Sequence, residues 1–391
     1  MDLTEARILI VDDTPENIDL LGDLLADYKR SVALNGEKAL KIASGPNTPD
    51  LILLDVMMPG MDGFEVCRRL KEDEKTRDIP VIFITSKNSV EDEAQGLELG
   101  AVDFIPKPIS PPVVLARVKN HLRLKFYSSM LQSKNAELAE RNQYITDSIR
   151  YAQKIQSAIL PDPKMLEKNI KDGDLIFSPK DIVSGDFFWC AEVDGLIFVA
   201  VIDCTGHRVP GAFMSMIGNT LLNDIVKVIK VSDPGQILNL LDQGIILELN
   251  KEENQDTIDG MDIALCAIDR PAGKLHYAGA YRPLFHFHNG DLIEIKGTKK
   301  SIGDRKRQIE FATTTVDIDA SSVIYLFTDG LIDQNNSAGE KFGIQSLRDH
   351  IKENATLPVT GQKEVLFNKI TGFMGNEVQR DNITVAIFKP F

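Results

Sequence analysis

Leu51-Ile52-Leu53-Leu54-Asp55-Val56-Met57-Met58-Pro59-Gly60 is the stretch on which the N-terminal part of this 391-residue chain turns. Four consecutive apolar residues, closed by an acid and followed by Pro-Gly, read as a short strand buried on both faces. The acid stands at its carboxyl end. Similar runs lie at Ile8–Val11, Val81–Ile84 and Val102–Ile105, with a weaker one at Val32–Leu34. Amphipathic stretches separate them, such as Ile18, Leu21, Leu24 and Leu25 after Pro15, which suits a first helical turn. Five parallel strands with five helices predict a doubly wound α/β domain whose ligands sit at the strands' carboxyl ends.

The residues at those ends form a chemical set. Asp12 and Asp13 follow the first strand, Asp55 the third, Thr85 the fourth and Lys107 the fifth. Crowded carboxylates repel one another unless a hard cation joins them, and oxygen ligands suit Mg²⁺. One carboxylate can then attack a phosphoryl group while metal and lysine neutralise its oxygens. Asp55 reads as the nucleophile, Asp12 and Asp13 as metal holders, Thr85 as a hydroxyl donor and Lys107 as counter-charge. The set resembles the receiver domain of two-component response regulators over residues 5–122, including Asp55–Gly63 and Lys107-Pro108. That resemblance implies a cis peptide before Pro108, a metal-binding carbonyl on Met57, an aromatic switch at Phe104 and a sensor histidine kinase as phosphoryl donor.

From about Val113 to Leu160 the pattern is helical throughout, ended by Pro161 and Pro163. Leu124, Leu131, Leu138, Ile145, Ala152 and Ile159 recur every seven residues, beside a mostly polar seam of Ser128, Asn135, Asn142, Ile149 and Gln156. One apolar and one polar seam fit a coiled-coil linker that pairs two copies into a homodimer, or one amphipathic helix lying on a domain. The expected partition is receiver 1–122, linker 123–160 and a second domain 161–391.

That second domain groups strand-like runs (Leu196–Ile202, Ile263–Ile268, Lys274–Ala278, Val323–Phe327, Ile383–Phe388) around helical stretches near 211–229, 234–250 and 361–375. Such grouping predicts an α+β sandwich flanked by helices. Four acidic motifs mark it: Asp181–Asp186, Asp203–His207, Thr328-Asp329-Gly330 and Arg380-Asp381-Asn382. Carboxylates beside hydrophobic strands are costly unless paired or metal-bound. Asp186, Asp203, Asp329 and Asp381 converging between sheets would hold two divalent ions about 4 Å apart, able to activate water against a phosphoryl group. The ordered set resembles the PPM-type serine/threonine phosphatases, in the branch of stage II sporulation protein E and RsbU, from roughly 150 to 389. Gly211–Gly218, Gly279–Leu284, Ser301–Gly303 and Lys341–Gly343 also match. By that resemblance two Mn²⁺ or Mg²⁺ bind, with Asp203 bridging. Asp186 and the Cys204 carbonyl complete one site, Asp329 and Asp381 the other.

Arg208 departs from the branch, which has Gly there. It is either a tolerated loop residue or a contact for the substrate phosphate. His207 either assists proton transfer or shapes the loop. His286 and His288 share a strand face but have no further zinc ligands nearby, so an ordinary exposed strand is expected. Cys67, Cys190, Cys204 and Cys266 lack metal spacing and read as buried thiols in a reducing cytoplasm. The net charge of −14, from 58 acids against 44 Lys and Arg, argues against nucleic acid or anionic lipid as partner. No basic helix-turn-helix output is visible. The N-terminus carries no signal-peptide pattern, and no apolar run reaches the ~18 residues that span a bilayer. The expected function is a cytoplasmic response regulator whose Asp55 phosphorylation governs a phosphatase acting on a phosphorylated anti-sigma-factor antagonist, the substrate following from the resemblance alone. The rival is a non-catalytic adaptor binding a sigma factor or anti-sigma protein, which retention of all four acids disfavours.

Overall fold

Residues 3–86, 90–206, 209–249 and 260–391 are described by the computed structural model. Its contacts divide the chain into Met1–Asn142 and Gln143–Phe391. The first unit runs β1 (Arg7–Val11), α1 (Pro15–Leu24), β2 (Lys29–Ala33), α2 (Gly36–Ala43), β3 (Leu51–Asp55), α3 (Gly63–Glu72), β4 (Val81–Thr85), α4 (Val90–Glu98), β5 (Asp103–Pro106) and the start of α5 (Pro111–Ile159). The sheet order is β2-β1-β3-β4-β5, all parallel. Its apolar runs are continuous in the central strands because β1, β3 and β4 each feed two cores, whereas the edge strand β2 buries only Ala33. Leu9, Val11, Ile52, Leu54 and Val81 face one side, and Ile8, Ile10, Leu51, Leu53 and Ile82 the other. Each such buried side chain is worth roughly 1.5–3 kcal/mol.

Local chemistry sets the helix starts. Pro15 occupies the first turn of α1, and Asp62 caps α3 by accepting from the Glu65 amide at 2.8 Å. A Cβ at position 63 would overlap the Asp55 carbonyl, so only glycine lets α3 begin against the end of β3. This is why the turn after Asp55 ends in Gly63. The fifth strand is Asp103–Pro106, one residue beyond the expected Val102–Ile105, because Val102 is exposed at the sheet edge.

The second unit begins within α5 and continues α6 (Met165–Asn169), β6 (Gly173–Ser178), β7 (Phe187–Val193), β8 (Leu196–Cys204), α7 (Val209–Asn223), a π-helical turn (Asp224–Val228), α8 (Pro234–Leu249), β9 (Met261–Asp269), β10 (Lys274–Ala280), β11 (Leu284–His288), β12 (Asp291–Ile295), β13 (Thr314–Asp317), β14 (Val323–Phe327), α9 (Asp329–Asp333), α10 (Gly343–Asn354), α11 (Val359–Met374) and β15 (Ile383–Phe388). Two antiparallel sheets form, β13-β10-β9-β8-β7 and β12-β11-β14-β15-β6. Phe188, Val199, Val201 and Cys266 meet Leu284, Ile324, Leu326 and Phe388 between them. Helices α7 and α8 cover the outer face of the first sheet, α10 and α11 that of the second. The sandwich was legible in the sequence, but β7, whose opening Phe187-Phe188-Trp189 run shows no alternation, was not, and neither were β6, β12 and β13. The last three are short or polar edge strands, and half-exposed edges carry a weak hydrophobic signal.

α5 is continuous for 49 residues. Val114, Val118 and Leu122 in its first turns are buried in the receiver core, whereas Leu160 just past its end packs on the core beneath α7 and α8. The apolar seam is exposed at Leu124, Leu131, Leu138 and Ile145. The polar seam does not persist to the helix end, which corrects the heptad reading. Gln156 is 5 % exposed and its amide donates to the Ser184 carbonyl at 2.6 Å and the Ser215 hydroxyl at 2.9 Å. It is a docking residue of the second unit.

His286 and His288 lie on one strand as expected, but that strand is buried, not exposed, because β11 sits inside its sheet between β12 and β14. Their rings stand 5.4 Å apart, and the buried His286 Nε2 meets the Ser322 hydroxyl at 2.9 Å. Burial lowers the His286 pKa to about 4, with the neighbouring His288 acting in the same direction. The folded imidazole therefore stays neutral while the unfolded one protonates below its ordinary 6.5. Stability from this group is full above pH 6.5 and is lost as pH falls towards 4, on the order of 2–3 kcal/mol. Replacing His286 by Asn removes that loss, seen as a smaller pH dependence of the urea midpoint than in wild type, followed by fluorescence of Trp189, the chain's only tryptophan. A second test concerns Gly330, where a Cβ would overlap the Asn382 carbonyl at the start of β15. Gly330→Ala lowers unfolding free energy by about 1–3 kcal/mol in the same assay.

Candidate functional sites

In the receiver unit, the strand ends bring the expected residues together. Asp12, Asp13 and Asp55 offer oxygens within 4.8 Å of one another, the one group of three acidic, His or Cys ligands this close among the described residues. Lys107 Nζ lies 3.1 Å from Asp12 and 3.0 Å from Asp55, and the Lys107-Pro108 peptide is cis. Asp12 is fully buried. Its carboxylate accepts from the Thr14 amide at 2.9 Å and from the Asn17 side chain at 3.0 Å to both oxygens. Asn17 is a supporting residue that the sequence reading missed, lying inside the amphipathic pattern of α1. Burial raises the Asp55 pKa, opposed by the Lys107 ammonium and reinforced by the Asp12 charge. Burial disfavours the Lys107 charge, yet bonds to Asp55 and Asp12 raise its pKa overall. Met57 is exposed, and its amide contacts Asp55 Oδ1 at 3.4 Å. Thr85 is buried at the end of β4, and its carbonyl accepts from the Lys107 amide at 2.7 Å. Phe104 lies beneath the Arg117 guanidinium, 5.4 Å from the ring centre, and its carbonyl accepts from the same arginine at 2.7 Å. Arg117 pairs with Asp103 and His121 hydrogen-bonds the same carboxylate at 3.0 Å, so β5 is tied to the first turns of α5.

In the second unit, Asp186 stands just before β7, Asp203 near the end of β8 and Asp329 at the start of α9. Asp186 is 1 % exposed and one of its oxygens accepts from the Thr328 and Thr384 hydroxyls, each at 2.8 Å. Burial raises its pKa to about 7, countered by those hydroxyls and by a bond with Asp203. Asp203 is held well above the carboxylate range by burial and then by the Asp186 charge. Asp381 reaches the neighbourhood through Gly330, whose missing side chain would lie 3.2 Å from the Asp381 Cβ. The Thr-Asp-Gly motif thus has a geometric cause, because glycine lets α9 abut the start of β15. The Cys204 carbonyl borders Gly185, beside Asp186. Burial pushes the Cys204 thiol well up, so sulfur is an inert wall there. Arg208 and His207 lie outside the described residues.

Two residues join this site that the sequence reading did not assign. Asp262 on β9 sits directly across the ladder from Asp203. Arg282 Nη2 then meets Asp329 at 2.6 Å, Asp262 at 2.9 Å and Asp203 at 3.1 Å. An acid inside the apolar run Met261–Asp269 was the available signal for Asp262. Arg282 lay unremarked within Gly279–Leu284. The donors are all hard oxygens, so the set fits a hard divalent cation.

Comparison with known proteins bears on the two units. A family model for the response regulator receiver domain matches residues 8–119, and one for stage II sporulation protein E matches 194–390. The chain is 50 % identical over 133 residues to the response regulator PleD of Caulobacter vibrioides, covering 34 % of this chain and 29 % of that protein. It is 45 % identical over 135 residues to a probable cyclic di-GMP phosphodiesterase of Vibrio cholerae, covering 34 % and 30 %. These matches span less than a third of either relative. Among solved structures, the SiaA-PP2C domain of Pseudomonas aeruginosa superposes with a TM-score of 0.58 at 31 % identity, covering 64 % of this chain and 99 % of that one. The chain belongs to the stage II sporulation protein E family and is a response regulator in which a receiver domain is joined to a PPM-type protein phosphatase domain.

Proposed function

We propose that a sensor histidine kinase phosphorylates Asp55 and that this controls metal-dependent hydrolysis of phosphoserine or phosphothreonine in a protein substrate, a phosphorylated anti-sigma-factor antagonist. The observation carrying the reading is the meeting of Asp203, Asp262 and Asp329 around one cationic point, beside the buried Asp186. Asp186, Asp203 and the Cys204 carbonyl would hold one divalent ion, with Asp203 shared and Asp329 and Asp381 holding the second. Bound there, Mn²⁺ or Mg²⁺ supplies a lowered water pKa and positive charge for the transferring phosphoryl oxygens. The chain's part is to fix the acids. Thr328 and Thr384 orient Asp186, and the apolar sandwich beneath excludes bulk water and strengthens every charge contact.

In the receiver, Asp55 is the nucleophile, Asp12, Asp13 and the Met57 carbonyl would hold Mg²⁺, and Thr85 and Lys107 receive the phosphoryl oxygens. Phe104 is the proposed switch, and Arg117 links it to α5. The functional partition is receiver 1–122, linker 123–160 and phosphatase 161–391. The exposed seam of Leu124, Leu131, Leu138 and Ile145 supports a homodimer through the linker. At the far end of α5, Gln156 bonds the Ser184 carbonyl two residues before Asp186, and Asn219 donates to the Ile159 carbonyl at 3.0 Å. A shift of the helix therefore bears on the Asp186 loop. The chain works in the cytoplasm. Among the described residues no helix is long and apolar enough to cross a membrane.

The test is release of phosphate from a phosphoserine protein by the full chain with Mn²⁺, with and without beryllofluoride on Asp55. Asp203→Asn lowers the rate at least a thousandfold. Beryllofluoride changes the wild-type rate severalfold and leaves the rate of the Asp55→Asn chain unaltered. Equal wild-type rates with and without the mimic remove the regulatory claim while leaving the phosphatase. Gln156→Leu keeps phosphatase activity but shrinks the response to the mimic below twofold. An unchanged response in that variant shows that control does not pass through this docking contact.

A further inference from the structure

The turn that presents Arg282 is built with unusual constraint. Tyr281 has a φ of +55°, a region that disfavours a bulky side chain. Its amide donates to the Thr298 carbonyl at 2.8 Å, and the Thr298 amide returns to the Gly279 carbonyl at 2.8 Å. The Arg282 amide donates to the Ala280 carbonyl at 2.6 Å, and the Tyr277 hydroxyl donates to the Arg282 carbonyl. A Cβ at Gly279 would overlap both that hydroxyl and that carbonyl. Strain persists only where its surroundings over-determine it, and it clusters at working sites.

The guanidinium is unevenly used. Nη2 has two hydrogens but three carboxylate neighbours, whereas Nε is buried with no hydrogen-bond partner. The three acids also differ. Asp203 and Asp329 belong to the proposed metal set. Asp262 does not, and its other oxygen accepts from the Ser301 hydroxyl at 2.6 Å. A divalent ion and a guanidinium cannot both take the same oxygens of Asp203 and Asp329. Asp262 offers the arginine a place to remain when those oxygens are engaged.

We propose that Arg282 grips the phosphate monoester of the substrate, positioned by Asp262, and competes with the divalent ion for Asp203 and Asp329. The inference rests on the metal-dependent phosphatase reading. Arginine suits the task because its planar fork can donate two N–H groups to two phosphoryl oxygens at once. Until the ion arrives, the same charge steadies the acids. Once Nη2 withdraws to Asp262, the guanidinium edge released from Asp203 and Asp329 is left for the phosphoryl oxygens, so metal loading and substrate capture are coupled.

The experiment measures binding to the full chain, freed of metal by chelation, with Mn²⁺ and inorganic phosphate as probes in calorimetry. Arg282→Gln binds Mn²⁺ about tenfold more tightly than wild type, because its rival cation is gone. The same variant, loaded with Mn²⁺, binds phosphate at least tenfold more weakly. Asp262→Asn acts oppositely on the metal, weakening Mn²⁺ severalfold because the arginine has lost its alternative partner. Arg282→Lys retains charge without the fork and serves if Arg282→Gln does not fold, with phosphate affinity reduced at least fivefold. A merely structural arginine predicts weaker Mn²⁺ binding in Arg282→Gln. That result, or phosphate affinity within twofold of wild type in the folded variant, overturns the proposal. Wild-type chain that binds no Mn²⁺ overturns the phosphatase reading as well, whereas wild type that binds and hydrolyses confines any failure to Arg282.

Discussion

Acids at the ends of buried strands are the constraint around which both units are organised. A carboxylate removed from water loses its hydration, and a second beside it adds repulsion, so such a group is retained only with a positive partner or a proton. In the receiver the partner is Lys107, which reaches Asp12 and Asp55 together. In the phosphatase it is Arg282, which reaches Asp203, Asp262 and Asp329. Both units thus keep a resident cation among their acids. Buried ion clusters of this kind are poor devices for stability, since desolvation offsets much of the attraction.

The surrounding fold serves that arrangement. Doubly covered strands give rigid, apolar floors, and the acids project where each floor ends. Glycine decides how closely the next element can approach. Gly63 lets α3 start against Asp55, and Gly330 lets α9 meet the start of β15. Helix α5 has a different construction, with buried residues at its two ends and an exposed apolar seam between them.

Most of the fold was legible because its strands are continuous apolar runs closed by polar residues. The five receiver residues were legible for the same reason, since each follows such a run directly. The acidic motifs of the phosphatase were legible too, as acids placed against hydrophobic strands. Edge strands β6, β12 and β13 escaped because one half-exposed strand among loops has no distinctive period, and β7 escaped because its buried Phe187-Phe188-Trp189 run has no alternation to mark it. Gln156 was assigned to the polar seam of a heptad, where its spacing fits, and was found buried under Ser184 and Ser215. Spacing along one helix says which residues share a face, but not what that face meets.

By itself the sequence determined the two fold classes, the strand-end acids and the lysine, because these follow from local hydrophobicity and chemistry along the chain. Tertiary structure alone decided that Asp262 lies across a ladder from Asp203, and that Arg282 joins Asp203, Asp262 and Asp329. Those pairings depend on strand register and on a strained turn packed against Tyr277. They connect residues 20 to 79 positions apart, and no local pattern encodes contact across such separations.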